Sequence, residues 1–171
     1  MKITVLTLIA ILFAPSTHLR AAGPPPPVPY TAVAVDKFVA LNGVEFPADY
    51  QSALAEDIAR ELSVSFPTVI IVHQGDPAPN GHPQLRISGI VTRFEPGNKL
   101  KRRMIGFGAG ATIVEAEVWF IDASSGQVLL NRGVRGTTRS GVDGGDSKGA
   151  ADSVAKKIVK FCNSARLVES N

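Results

Sequence analysis

Between Thr112 and Ile121 apolar and polar residues alternate. Val114, Ala116, Val118 and Phe120 form one set; Glu115, Glu117 and Trp119 form the other. Side chains of an extended chain point to opposite sides in turn. The pattern therefore predicts a strand with one side against a core and the other toward solvent or a partner. Asp122-Ala123-Ser124-Ser125-Gly126 follows, turn chemistry with a glycine placed for the left-handed position. Gln127 to Thr138 then reads as the returning strand. A two-stranded hairpin with one greasy side is not stable alone, so the rest of the chain must cover it.

Two segments supply the cover. Tyr50, Leu54, Ile58 and Leu62 recur every four residues, with Glu56, Asp57, Arg60 and Glu61 on other faces. That is an amphipathic helix, with Pro47 at its start and Pro67 as its stop. Near the end, Ala151, Val154, Ala155, Ile158, Phe161 and Cys162 make a second apolar stripe, with Lys156, Lys157 and Lys160 left wet. Three further strands are predicted: Tyr30–Ala40, Thr68–Val72 and Gln84–Phe94. In the last, Leu85, Ile87 and Val91 share one face, and Ile90 and Phe94 share the other; Gly89 marks a bulge or a close approach. Strand, helix, strand within Tyr30–Val72 suggests a parallel crossover. The expected fold class is α+β. It is a two-layer sandwich with a mixed, mostly antiparallel sheet, in the order β-α-β-β-β-β-α, and two helices on one face.

The start of the chain reads as a secretory signal peptide over residues 1–22. Lys2 is followed by an apolar run from Ile3 to Ala14, and Ala21-Ala22-Gly23 offers small residues for cleavage. No later stretch has the length or apolarity of a membrane helix. Residues 23–29 form a proline-rich linker, residues 30–165 a single domain, and residues 166–171 a tail expected to fray. Loss of Lys2 and Arg20 with the signal leaves 16 basic and 15 acidic residues, a balance that does not call for nucleic acid. The charge is uneven: residues 23–95 hold 4 basic and 8 acidic groups, and residues 96–171 hold 12 and 7. Cys162 is the one cysteine, so an internal disulfide and a multi-cysteine zinc site are excluded. With no cysteine at the signal boundary, lipid anchoring at that point is not expected.

Candidate chemistry is sparse. Gly106-Phe107-Gly108-Ala109-Gly110-Ala111 matches a dinucleotide fingerprint by letter, but that fingerprint needs a helix after it and here a strand follows. No cofactor is expected. Lys101, Arg102 and Arg103, leading into Gly106, Gly108 and Gly110, could hold an anion through guanidinium groups and backbone N–H groups; the plainer reading is a solvated charged loop. His73, Asp76 and His82 share one loop at irregular spacing, and the plainer reading is a polar surface loop with no metal. Glu115 and Glu117 share a strand face, as a carboxylate pair or simply a charged outer face. Cys162 in an apolar stripe reads as a core residue. No nucleophile–base set stands out, so no catalytic residue is assigned.

The run Gly89-x4-Phe94-Glu95-Pro96-Gly97-Asn98, then Arg103, then Gly106-Phe107-Gly108-Ala109-Gly110, then Asp122-x3-Gly126, resembles the bacterial envelope family called domain of unknown function 4410. The resemblance runs from about Tyr30 to Phe161 and implies an exported α+β domain. Many members of that family look like lipoproteins, and this chain departs from them in lacking the lipidation cysteine. The family brings no established activity, so no residue role is carried over. The reading is a non-enzymatic exported binding or assembly module, periplasmic or at the outer membrane. It would present the Arg93–Gly110 segment and Trp119 to an envelope protein or an anionic envelope component. A small-molecule or anion carrier is the alternative, and a hydrolase the remoter one.

Overall fold

The computed structural model describes residues 29–73, 76–77, 79–97, 111–138 and 148–169. Its elements, in order, are β1 (Ala32–Val35), β2 (Val39–Ala40), α1 (Ala48–Ser65), β3 (Ile70–Val72), β4 (Gln84–Glu95), β5 (Ile113–Asp122), β6 (Val128–Thr137) and α2 (Lys148–Ser164). The strands make one mixed sheet in the order β3-β1-β4-β5-β6, with β2 also paired to β4. β1 runs parallel to both β3 and β4, whereas β4, β5 and β6 are antiparallel neighbours. The parallel half needs a crossover connection, and α1 lies in it. Both helices pack on one side of the sheet, giving the expected two-layer α+β arrangement.

The apolar stripes explain the layering. Leu54, Ile58 and Leu62 of α1 are fully buried, as are Val154, Ala155, Ile158 and Cys162 of α2. Opposite them lie Val33, Leu85, Ile87, Val91, Val118 and Phe120 from the sheet. Each large aliphatic side chain removed from water in this way contributes about 1.5–3 kcal/mol. The helices and sheet approach closely at Gly136, where a Cβ would run into Ala150 O and stand 2.7 Å from Val154 Cγ2 of α2.

Three features depart from the sequence pattern. First, the strand expected over Tyr30–Ala40 is broken. Phe38, between β1 and β2, turns fully into the core, and a Cβ on Gly89 of β4 would collide with its ring. Gly89 therefore marks a close approach. Second, β4 carries a register shift between Val91 and Arg93. One extra residue reverses the alternation beyond it. Phe94 therefore does not share the face of Ile90: it pairs with Val114 on the helix side and packs edge-on to Phe46 at 5.1 Å between centroids. Third, the tail is packed against the domain as far as it is described, to Glu169. Leu167 and Val168 are buried, Tyr30 N donates to Leu167 O at 2.8 Å, and Glu169 N donates to Tyr30 O at 3.3 Å. The packed domain reaches Val168.

Candidate functional site

The helices cover one side of the sheet; the candidate site is the other. Its floor is the outward set of β5 with the residues registered on either side. Arg93, Glu115 and Arg135 form one row across β4, β5 and β6. Arg93 Nη1 and Arg135 Nε both stand 3.5 Å from Glu115 Oε1. Glu95 also holds Arg93, and that hydrogen bond, reinforced by the charges of Glu95 and Glu115, raises the pKa of Arg93. At the opposite end of the face Arg86 Nε lies 3.6 Å from Asp36 Oδ2.

Between these paired charges the face is different. The next row is Ile90, Glu117 and Gly133. Glu117 is exposed and, among the described residues, carries no ion pair. A Cβ on Gly133 would meet nothing within 4 Å, so the strand edge is notched beside that carboxylate. The row after it is Ser88, Trp119 and Asn131, with the indole half-buried. Val39 registers with Ile90 and is 54% exposed; Leu41, two residues on, is 48% exposed. An apolar strip with one aromatic thus crosses the middle of the bare face, bordered by ion pairs.

At the foot of the sheet Asp122 gathers donors. Oδ1 accepts from the backbone N–H groups of Ser124 (2.9 Å) and Ser125 (2.7 Å) and from both hydroxyls, while Oδ2 accepts from Tyr30 Oη at 2.6 Å. The Ser124 hydroxyl first, then Tyr30 and the Ser125 amide, hold the Asp122 carboxyl well below the usual carboxylate range. Burial first, then the bond to Asp122, pushes the Tyr30 phenol above its usual value. Gly126 closes the turn at φ +72°, in the left-handed region expected for it. This is turn architecture, closed upon itself.

Of the sequence-predicted site residues, the structure places Trp119, on the bare face as expected. Lys101, Arg102, Arg103, Gly106, Gly108 and Gly110 lie outside the described residues. The chain on either side of that segment is fastened together, Gly97 N donating to Thr112 Oγ1 at 3.0 Å, and Thr112 N in turn donates to Thr138 Oγ1 beyond β6 at 2.9 Å. His73, Asp76 and His82 do not converge as three ligands, although Asp76 N donates to His73 O at 3.0 Å. His82 Nδ1 shares a hydrogen bond with Thr31 Oγ1 at 3.0 Å, and His73 lines a groove instead. Among the described residues no group of three or more His, Cys, Asp or Glu could hold a metal ion. Cys162 is buried, which pushes its thiol up to about 12 and away from reactivity.

That groove went unread in the sequence. It lies between α1 and the edge strand β3, has a volume of about 620 Å³ and is open to solvent. Ala55, Ala59 and Ile71 line it, with Lys37, Glu56 and His73 among its polar groups. Small residues at 55 and 59 were the available signal, but their meaning depends on which strand ends up beside the helix.

These features define a two-layer α+β domain with one sheet face covered by helices and the other bare among the described residues. The chain belongs to the family described as Domain of unknown function (DUF4410), whose model matches residues 45–141. Among solved structures it is similar to the PelC dodecamer from Paraburkholderia phytofirmans, with a TM-score of 0.53 at 18% identity, over 85% of this chain and 94% of that one. A single-residue variant of that dodecamer gives 0.54 at 20% identity, over 85% and 93%. Lipoprotein GNA1162 from Neisseria meningitidis gives 0.47 at 11%, over 78% of this chain and 99% of that one. At such identities the PelC likeness establishes shared fold. No curated protein sequence matches the chain. Among the described residues no helix is long and apolar enough to cross a membrane.

Proposed function

We propose that this chain is a non-enzymatic binding and assembly module exported to the bacterial envelope, where it joins copies of itself and an envelope partner in the periplasm or at the outer membrane. The observation that carries the reading is the bare sheet face. Trp119, Ile90, Val39 and Leu41 form an apolar strip that the domain's own helices do not cover, and uncovered apolar strips mark interaction surfaces. The dodecamer formed by PelC, which shares the fold, supports self-association. The signal-like first 22 residues support export. Glu115, one candidate for hydrolytic chemistry, is occupied by two arginines, which supports a structural role for it.

The test places a photo-crosslinking residue at Asn131, directly opposite Trp119, in cells. A discrete adduct that fades in a Trp119→Ala background is expected. An Asn131 position that yields no adduct, together with a purified chain that stays monomeric, would overturn the reading. A second reading, a carrier of a small anion, draws on the α1–β3 groove with Lys37 and His73 among its lining. Equilibrium dialysis against labelled phosphate, with Lys37→Ala as control, separates the two.

A further inference from the structure

The two edges of the sheet are finished differently. β6 ends it on one side, and side chains guard that strand: Arg132 Nη1 donates to Asn131 O at 2.8 Å, and Lys157 Nζ donates to Arg135 O. Cations laid along an edge strand discourage another strand from adding to it. β3 ends the other side, and its sequence, Ile70-Ile71-Val72, holds neither a charge nor a proline.

The ladder shows which backbone groups this leaves open. Ile70 N donates to Thr31 O at 2.9 Å, and the parallel register continues through Ile71 and Val72. Alternate residues of a strand bond to the same neighbour, so Ile70 and Val72 turn their backbone groups to β1, and Ile71 turns its N–H and C=O outward. Among the described residues no strand lies beyond them. They border the groove along α1, whose volume of about 620 Å³ is within the range of ligand clefts. Ala55 and Ala59 stand across it on α1. Its walls carry Lys37, Arg60 and His73 against Glu56, but Arg60 is already taken up by Asp57, Glu61 and Asp152. Lys37 and Glu56, one of each sign, carry no ion pair among the described residues, so charge alone selects little here.

We propose that the occupant of this groove is an extended peptide segment of a partner protein, added as a strand beside β3 and bonded through the outward N–H and C=O of Ile71. Main-chain bonds to the edge give the affinity, and alternate side chains of the peptide, turned against Ala55, Ala59 and Ile71, give the selectivity. Small apolar residues at those alternate positions fit that wall. An edge of three residues is too short to hold a strand by its backbone alone, so the wall of α1 supplies the rest. This is a second surface, apart from the bare face, and it goes beyond the reading above.

The experiment pans a phage-displayed library of random peptides on the full chain and measures the strongest binder, made synthetically with a fluorescent label, by anisotropy. Ile71→Pro removes the outward N–H without touching the bonds to β1 and should weaken binding about threefold to tenfold. Ala55→Leu narrows the groove and should weaken it as well. N-methylation of the peptide at every second residue should abolish binding in one of the two frames and spare it in the other, because only one set of N–H groups faces β3. Trp119→Ala should change nothing. A library that yields no binder, or a binder that both N-methyl frames weaken equally, overturns the added strand. A binder lost in Trp119→Ala and kept in Ile71→Pro overturns it too, and leaves the bare-face reading standing. A chain that is a dimer until Ile71→Pro splits it makes a second copy the occupant and overturns the partner peptide. Circular dichroism melts check the fold; if Ile71→Pro lowers the melt, the N-methylated peptides carry the test on the unaltered chain.

Discussion

Tyr30 Oη donates to Asp122 Oδ2 at 2.6 Å, tying the chain two residues ahead of β1 to the β5–β6 turn across 92 positions of sequence. Tyr30 is 5% exposed, so its hydroxyl depends on that carboxylate. Tyr30→Phe keeps the ring and removes the bond. It leaves Asp122 its four serine donors, so a loss of about 0.5–1.5 kcal/mol is expected, read as a lower urea midpoint at unchanged slope.

The same pair sets two pH limits. The Asp122 carboxyl is held low in the folded state, so its stabilisation is present above the ordinary carboxylate range, about pH 4, and is lost as pH falls through the folded value. The Tyr30 phenol is held high, so its stabilisation is present below about pH 10 and is lost as pH rises beyond it. Urea melts of wild type and Asp122→Asn should converge in acid. Wild type and Tyr30→Phe should converge in alkali. Parallel curves at both ends would contradict the pairing.

Gly89→Ala should cost about 1–3 kcal/mol, because the new methyl enters the space of the buried Phe38 ring. Phe38→Leu in the same chain should return part of that loss even though Phe38→Leu alone is destabilising. A double-mutant cycle from urea melts reads the coupling.

Two glycines on one strand should behave in opposite ways. Gly136→Ala drives a Cβ into the α2 backbone at Ala150 O, which cannot swing aside, and should lower the melting temperature by several degrees. Gly133→Val meets open space on the bare face, removes a flexible residue from a strand, and should hold or raise it. Thermal melts of the pair decide the matter.

Cys162 should resist iodoacetamide in the native protein and react fully in denaturant, since burial keeps it a thiol. It is the chain's one cysteine, so a single mass shift reports the outcome. Rapid native labelling would mean that α2 opens easily.

The hairpin and the two helices could be read in the sequence because each pattern is local: alternation in Val114–Phe120, a four-residue beat in Tyr50–Leu62. The same is true of Trp119, whose face follows from parity alone. What escaped depends on neighbours remote in sequence. The register shift at Val91–Arg93 is a property of β4 against β5, and it moved Phe94 to the helix side. Gly89 announced a close approach but not that Phe38 would fill it. The tail after Ala165 has no period of its own, and its order comes from Tyr30. The α1–β3 groove exists only once the crossover sets that helix beside that edge.

One backbone clasp has a mechanical consequence. Tyr30 grips both Leu167 and Glu169, so the entry and exit of the domain sit at a single point. Tension on anything leashed ahead of Tyr30 loads that point before it reaches the core. The same residue is tied to the β5–β6 turn through Asp122, so that load is shared between the chain's end and the hairpin.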